Sequence, residues 1–181
     1  MSMDFETLVP TEEIKETETV IKQKDERYSD APSPWLWNGT ELKEVPEDAV
    51  SFVYRITNTL NGKFYIGYKG FFAKKTRTVK GKKKHEMVVS NWITYWSSGE
   101  GLKKDLALLG IGNFKREILA FCSGRGIGKY VELFLQLHYG VLTHNKNNTY
   151  NGIVNVRLSS KTVTQYQNVV FCDELKDVIK L

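Results

Sequence analysis

The stretch FVYRITNTLNGKFYIGYKG, residues 52–70, places two alternating apolar segments on either side of an Asn-Gly pair. Segments of this kind, rich in aromatic and β-branched residues, are typical of β-strands. The Asn-Gly dipeptide at 61–62 readily accepts two positive φ angles, so it predicts a tight hairpin turn. Each arm carries a tyrosine, Tyr54 and Tyr65, and Gly67 follows the second by two residues. The two hydroxyls either belong to a half-exposed strand pair or converge on a reaction centre.

Downstream of this stretch the pattern predicts two helices and a third strand. The leucines of EGLKKDLALLG (100–110) recur at helical spacing, and its final Gly is a helix stop. FKREILAFC (114–122) is typical of a strand, KYVELFLQLHYGVL (129–142) of a buried helix, and SGRGIG (123–128) of a flexible turn between them. We therefore expect an α/β (α+β) fold with a small, mainly antiparallel three-stranded sheet flanked by helices.

The two ends of the chain differ from this central part. Residues 1–34 are polar and mostly acidic and end in breaker residues, so we expect a flexible acidic arm. WLWNG (35–39) predicts a flap that buries two tryptophans on the main domain, residues 35–158. Residues 159–181 are expected to pack on that domain as an extension, in which VTQYQNVVF favours a strand and DELKDVIKL a helix.

Charge is segregated along the chain. Residues 1–50 carry a net charge of −8 and residues 51–181 a net charge of +13. A basic body suits a polyanion such as nucleic acid, although a ribosomal or merely solubilising role would give the same excess. The acidic arm could screen the basic surface or serve only as a soluble tail. No apolar run approaches the ~18 residues that span a bilayer, and two isolated cysteines make no disulfide framework, so we expect a cytoplasmic protein without a membrane partner.

The segment KKTRTVKGKKKH (74–85) offers the densest set of candidate phosphate ligands. Its charge and lack of apolar period argue against a packed element, so we interpret it as a loop that contacts phosphates and releases their counterions. A loop charged only for solubility and a nuclear-localisation signal are the alternatives. The candidate substrate-binding residues, one of them from the end of the hairpin stretch, are Lys69, Lys75, Lys80, Lys82, Lys83 and Lys84.

One carboxylate interrupts the apolar helix expected over 129–142. Lys129, Glu132 and Gln136 follow one another at helical spacing as a narrow polar stripe. Such a carboxylate either faces solvent or serves a site that needs negative charge. Mg²⁺ is the natural partner because it prefers carboxylate oxygens, and one carboxylate suffices when phosphate oxygens and waters complete its octahedron.

The hairpin stretch resembles the signature of the GIY-YIG nuclease superfamily. Its triplets are FVY (52–54), with Phe52 in place of the first glycine, and YIG (65–67). YWSSGEGLKKDLALLGIGNFKREILAFC (95–122) is similar to the homing-type members common in bacteriophages, and the resemblance spans about residues 51–155. It implies a DNA endonuclease that depends on Mg²⁺ or Mn²⁺, encoded by a phage or mobile element and located in the host cytoplasm.

The resemblance also implies roles for individual residues. Glu132 matches the family's helical metal ligand, and Asn151 matches the Asn of a closing Tyr-Asn pair that would brace the site. Of the two tyrosines, Tyr54 would take a proton from water and Tyr65 would position the phosphate. The unperturbed pKa of a phenol is near ~10, so a metal or cationic groups would have to lower it.

One part of the family pattern has no direct counterpart. The family's arginine normally lies on a helix shortly after YIG, where this chain carries its basic segment. Arg77 is the first candidate because its guanidinium is permanently charged and binds phosphate through a fork of N–H groups. Lys69 and Lys75 are its rivals.

Two other functions are compatible with the sequence. A nucleic-acid-binding module could keep the fold and lose efficient chemistry, which the missing arginine favours and the intact tyrosines and glutamate do not. A structure-specific repair nuclease that acts with a partner would fit the lack of a large recognition domain. For the endonuclease we expect DNA, in double-stranded form, as the partner, and the sequence leaves open whether the protein forms a homo-oligomer.

Overall fold

The computed structural model describes residues 33–79, 81–154, 157–160, 168–177 and 179. The expected acidic arm lies outside the described residues except for its last two positions. The strands are β1 Trp35–Trp37, β2 Thr40–Glu41, β3 Ser51–Asn58, β4 Phe64–Gly70, β5 Phe72–Val79, β6 Lys82–Val89, β7 Phe114–Cys122 and β8 Val170–Phe171. The helices are α1 Glu100–Leu109, α2 Arg125–His138 and the single turn α3 Asp173–Lys176, with a 3-10 turn at Ile111–Asn113. No helix in this described part is long and apolar enough to cross a membrane.

Six strands form one mixed, mostly antiparallel sheet in the order β2-β1-β7-β3-β4, with β8 also paired to β7. The α+β class is confirmed, but the expectation of three strands is wrong because β1, β2 and β8 extend the sheet. WLWNG is correspondingly strand β1, which lies inside the sheet between β2 and β7, and the turn that leads to β2, rather than a flap. Parallel pairing of β1 with β7 lays the Trp35 indole on the core, where it is 2 % exposed.

The β3–β4 hairpin turns through five residues, 59–63, rather than through two. Among these five, Gly62 is the one with a positive φ, at 74°. The side-chain carbonyls of Asn58 and Asn61 each accept a hydrogen bond from the backbone N–H two residues later, at 3.0 and 2.9 Å. These local bonds stabilise a longer loop. The dipeptide therefore predicted the hairpin correctly and its turn type wrongly.

The sheet separates two hydrophobic cores, because side chains alternate along β3. Phe52, Tyr54 and Ile56 pack on the side of α1, whereas Val53 packs on the side of α2. A β-bulge in the β3–β7 pairing lies between Val53 and Tyr54. Side chains on the α1 side can therefore meet side chains from α2 only at a free edge of the sheet, and the nearest free edge is β4.

The glycine-rich segment SGRGIG is not a flexible turn, because α2 begins at Arg125. Gly128 lies in the first turn of the helix, where it packs against β3 and β4. A Cβ at Gly128 would lie 2.5 Å from Tyr68 Cε2 and 2.6 Å from Ser51 Oγ. Glycine is needed here so that the helix can approach the sheet closely, which brings Glu132 to the sheet edge one turn later.

The basic segment is a second hairpin, β5–β6, rather than a loop. Its strands pair antiparallel from Phe72 opposite Val89 to Val79 opposite Lys82. Between Lys74 and Met87 every residue whose burial is described is exposed. A charged segment cannot enter a core, but a two-stranded ribbon pairs backbone groups without one, and β-branched residues within β5 favour that conformation.

Candidate active site

Strand β4 is an edge of the sheet, and side chains occupy the positions where another strand would pair. The Asn151 amide accepts a hydrogen bond from Ile66 N–H and donates one to Ile66 C=O, both at 2.8 Å. Gln136 Nε2 donates to the same carbonyl at 3.2 Å, and the Thr149 hydroxyl donates to Asn151 Oδ1 at 3.0 Å. An asparagine side chain thus replaces the backbone of a neighbouring strand, which caps the edge and fixes β4.

The Glu132 carboxylate reaches the same edge one helical turn before Gln136. It accepts hydrogen bonds from the backbone N–H of Tyr68 and, at 3.4 Å, from Gln136 Nε2. Burial raises the pKa of Glu132 from 4.5 to about 7, although the neighbouring charge of Lys129 acts in the opposite direction. Desolvation of this carboxylate therefore exceeds the compensation that its neighbours provide, so a cation would stabilise its ionised form.

The Tyr54 phenol lies over Gly67, which explains the glycine of the YIG triplet. A Cβ at Gly67 would lie 2.6 Å from Tyr54 Cζ and 2.7 Å from Tyr65 Cε1, so no larger residue fits beneath the two rings. Tyr54 is 1 % exposed. Its burial, followed by the charges of Tyr95 and Tyr65, raises the pKa of Tyr54 well above 10. This placement favours Tyr54 as a support for the site over the expected role of proton acceptor.

Tyr65 is the more accessible of the two phenols. Its ring stacks on that of Tyr54 with centroids 6.2 Å apart, and Gly99 leaves room for its other edge. Burial raises the pKa of Tyr65; a hydrogen bond with Ser97 lowers it and the charge of Glu132 raises it. This phenol and the α2 carboxylate are therefore close enough to interact electrostatically.

Ser97 links the two phenols, and sequence analysis missed it. Its hydrogen bonds lower the pKa of both Tyr54 and Tyr65, and its Oγ accepts a hydrogen bond from Gly99 N–H at 3.0 Å. Ser97 is buried and has a φ of 102°, a conformation that costs a residue with a Cβ about 1–3 kcal/mol and is typical of functional sites. Nothing in the letters YWSS reveals a positive φ at a serine.

Arg116 holds the segment that carries Ser97 against the sheet. Its Nη1 donates to the carbonyls of Ile93 and Tyr95 at 2.9 and 3.0 Å. The guanidinium lies between the rings of Trp35 and Trp96, 4.6 and 4.4 Å from their centroids. Burial lowers the pKa of Arg116 to about 10. This buried arginine therefore positions the active-site segment and is not itself available to a phosphate.

Lys69 brings a cation to the face of β4 that carries Tyr65 and Gly67, because alternate residues share a face. Its Nζ lies 2.7 Å from Asn91 Oδ1 and 3.9 Å from the Tyr95 ring centroid. Burial lowers the pKa of Lys69. The partners are an amide oxygen and an aromatic ring, and neither carries a carboxylate that would pair with the ammonium. The ammonium is therefore available to an anionic ligand.

A family model described as "Putative endonuclease segE, GIY-YIG domain" matches residues 35–156, about two thirds of the chain. The chain belongs to the GIY-YIG family. The resemblance drawn from the hairpin motif is thereby confirmed, and the matched segment contains both hairpin tyrosines, Glu132 and Asn151. No curated protein and no solved structure matches the chain.

GIY-YIG nucleases generally depend on a divalent metal, and Glu132 fits such an ion. Its carboxylate is half-buried and its charge is incompletely compensated. Among the described residues, no three or more His, Cys, Asp and Glu side chains come together as a metal cage. One carboxylate can hold a divalent ion when waters and phosphate oxygens supply its other ligands.

Arg77, the first candidate for the GIY-YIG arginine, lies on the free hairpin. Its side chain is 61 % exposed and its Nε is 3.6 Å from Glu86 Oε2. Five residues of extended strand, about 16 Å, separate it from the root of the hairpin at Phe72. The structure therefore does not bring Arg77 to the phenols and Glu132. Lys75, Lys82, Lys83 and Lys84 share the hairpin with it, and Lys80 lies outside the described residues.

Arg125 is a cation near the site that sequence analysis did not single out. It lies seven residues before Glu132 on α2, so the two share a helix face. Burial raises the pKa of Tyr68, and the charge of Arg125 acts in the opposite direction. Arg125 Nη2 donates to Phe72 C=O at 2.6 Å. In the GIY-YIG domain it therefore joins the root of the basic hairpin to the helix that carries the metal-ligand candidate.

Proposed function

We propose that this GIY-YIG domain is a Mg²⁺-dependent endonuclease that hydrolyses phosphodiester bonds in duplex DNA. The observation that carries the proposal is the convergence of the Tyr65 phenol and the Glu132 carboxylate at the edge of β4. The two groups come from opposite sides of the sheet, and Asn151 fixes the edge at which they meet. This arrangement suits the binding of a metal ion and a phosphate group at the edge of β4.

In the proposed mechanism Tyr65, in its phenolate form, orients the attacking water and accepts its proton. Attack of the water oxygen on phosphorus forms one P–O bond and breaks the bond to the leaving oxygen, which takes a proton from solvent. Lys69 offsets negative charge that develops on the phosphate, and Tyr54 supports the Tyr65 ring from below. Burial and the charge of Glu132 raise the pKa of Tyr65, and a cation bound at the site would act in the opposite direction and favour its phenolate form.

The metal would be held by Glu132, with waters and phosphate oxygens as its other ligands. When bound, a divalent ion supplies Lewis-acid stabilisation of the phosphate and lowers the pKa of water in its shell. Mn²⁺ prefers similar oxygen ligands and is the expected substitute. The similarity of the 95–122 segment to phage homing-type members supports a phage or mobile-element origin.

Incubation of supercoiled plasmid with the protein, in Mg²⁺ or in excess chelator, tests this activity. We expect nicked or linear product only with Mg²⁺. Glu132→Gln should abolish cleavage and leave duplex binding intact, because it removes the ligand charge and keeps the side-chain shape. Near-normal cleavage by Glu132→Gln would remove the proposed metal site.

A non-catalytic DNA-binding module is the second candidate. The position of Arg77 on the free hairpin favours it, because a GIY-YIG active site normally includes an arginine. Binding of duplex by the unsubstituted protein without any Mg²⁺- or Mn²⁺-dependent cleavage would support this alternative.

A further inference from the structure

The β5–β6 hairpin has two unlike faces. Directly opposed residues of an antiparallel pair share a face, so the register separates the side chains into two sets. One set, here called the charged face, consists of Lys75 opposite Glu86, Arg77 opposite Lys84, and Lys82. The other set, here called the mixed face, consists of Lys74 opposite Met87, Thr76 opposite His85, and Thr78 opposite Lys83. On the mixed face each cation lies opposite a neutral partner.

The charged face holds positive charge that the hairpin itself does not compensate. Arg77 and Lys84 lie directly opposite each other, and like charges in this arrangement destabilise a strand pair. The ion pair of Arg77 with Glu86 spans 3.6 Å between side chains that are 61 % and 55 % exposed, so water screens it strongly. A polyanion on this face would offset the repulsion.

The mixed face has a different character. The Thr76 hydroxyl and His85 Nδ1 are 3.0 Å apart and form a hydrogen bond, so these polar groups already have partners. Met87 is 57 % exposed beside Lys74. The mixed face therefore presents weaker and more dispersed positive charge to a ligand.

The root of the hairpin is firmly held and adjoins the candidate active site. Phe71 is fully buried, and Ser90 donates its backbone N–H to Phe71 C=O at 2.8 Å and its hydroxyl to Gly70 C=O at 2.6 Å. Residue 91, next along the chain, is the Asn that binds Lys69. A ligand on the ribbon thus lies against an element whose two ends join the active-site face of β4.

We propose that the β5–β6 hairpin enters the major groove of duplex DNA with its charged face toward the DNA. The major groove is about 12 Å wide and admits a two-stranded ribbon, whereas the minor groove, about 6 Å wide, does not. The strands are about 26 Å long at 3.3 Å per residue, enough to follow the groove across several base pairs. This inference rests on the proposed function and adds to it the element that contacts duplex DNA and the groove that this element enters.

Matched charge variants test which face binds. The full-length Glu132→Gln protein is used in chelator, so that binding is measured without cleavage. Arg77→Gln with Lys84→Gln removes two positive charges from the charged face. Lys74→Gln with Thr78→Glu changes the net charge by the same amount on the mixed face.

The two double variants should differ sharply in affinity for a labelled duplex. We expect the charged-face variant to lose about tenfold or more in affinity and about 2 units of the slope of log K against log salt. The mixed-face variant should stay within about twofold of its parent, because its charges are not at phosphates. An equal loss of affinity in both variants would overturn the proposal, since the hairpin would then attract DNA only through its overall positive charge and not through one face.

The choice of groove is tested with the same parent protein. A duplex with bulky 5-substituents on its pyrimidines has a filled major groove and should bind far more weakly, whereas a minor-groove ligand should not compete. Competition by the minor-groove ligand alone, or equal binding of single-stranded DNA, would overturn the inference. A failure of Mg²⁺-dependent cleavage would count against the proposed activity and not against this inference, because the binding is measured in chelator.

Discussion

At the scale of the residue, Tyr54 and Tyr65 carry the same hydroxyl in different surroundings. Tyr54 is 1 % exposed above Gly67, whereas Tyr65 is half-buried at the edge reached by Glu132. Tyr65→Phe should therefore lower turnover by ~10² to 10⁴ with little change in stability. Tyr54→Phe should cost about 1 kcal/mol of folding stability through its lost hydrogen bonds and lower turnover less.

Steady-state cleavage rates and urea unfolding of both variants decide between the roles. The duplex affinity of each variant should match that of the parent, since neither ring is removed. If Tyr54→Phe is stable and inactive while Tyr65→Phe cleaves normally, the buried phenol is the proton acceptor, as the family resemblance first suggested.

Glu132 gives a prediction that needs no substrate. Burial raises the pKa of its carboxyl to about 7, so between about pH 4.5 and 7 the folded protein binds more protons than the unfolded chain. The contribution of this group to stability is thus greatest at low pH and falls as the pH rises to 7. At about 1.4 kcal/mol per unit of pKa, the loss amounts to about 3 kcal/mol.

Without metal, Glu132→Gln should therefore be more stable than the parent protein at pH 8 and equal to it near pH 4. The amide keeps an acceptor for Tyr68 N–H and has no charge to desolvate. Thermal unfolding at both pH values, in chelator, measures the difference. Equal stabilities at pH 8 would mean that the carboxylate is well solvated, and addition of Mg²⁺ should stabilise only the parent.

At the scale of the element, β4 depends on one side chain to complete its outer edge. Asn151→Ala would leave Ile66 N–H without its acceptor at a buried position, which costs about 1–3 kcal/mol. Amide hydrogen exchange at Ile66 should accelerate, and cleavage should fall because Tyr65 is on the same strand. Asn148→Ala, at an exposed neighbouring position, is the matched control and should change none of these. Unchanged exchange at Ile66 in Asn151→Ala would refute the bracing role.

At the scale of the whole molecule, the opposite charges of the two chain segments predict an effect on DNA binding. Residues 1–32 carry nine Asp or Glu and four Lys or Arg, against a net charge of +13 over residues 51–181. Because the acidic segment is tethered to the basic residues 51–181, it competes with DNA for their positive charges at a high effective concentration. Its deletion should tighten non-specific duplex binding, more at low than at high salt, because the competition is screened within about a Debye length.

Titration of full-length and truncated protein against one duplex at two salt concentrations checks this effect. The unfolding temperature of both proteins is the control, because the affinities can be compared only if the truncated protein is as well folded as the full-length one. Superimposable binding curves at both salts would leave the acidic segment with no role in DNA binding.

The sequence by itself determined the elements whose signals are local. The alternation in β3 and β4, the leucine spacing of α1 and the apolar run of α2 each depend on neighbours along the chain, and all four elements form. The motif letters likewise singled out the tyrosines, Glu132 and Asn151 as candidates, because a resemblance in short spacing needs no knowledge of packing. The pairing of β1 and β8 with β7 joins segments that are far apart in the sequence, so local patterns could not predict it.

Only the tertiary structure decided which of the candidate groups meet. Letters could not tell that Tyr54 is buried, that Ser97 adopts a positive φ, or that Arg116 lies between two tryptophans. The position of Arg77 depended on tertiary structure in the same way, since the charged segment interpreted as a loop forms a hairpin that carries the arginine away from β4. Local sequence patterns determine backbone conformation. The burial of a side chain, its pKa and the side chains that it contacts depend on residues tens of positions away in the sequence.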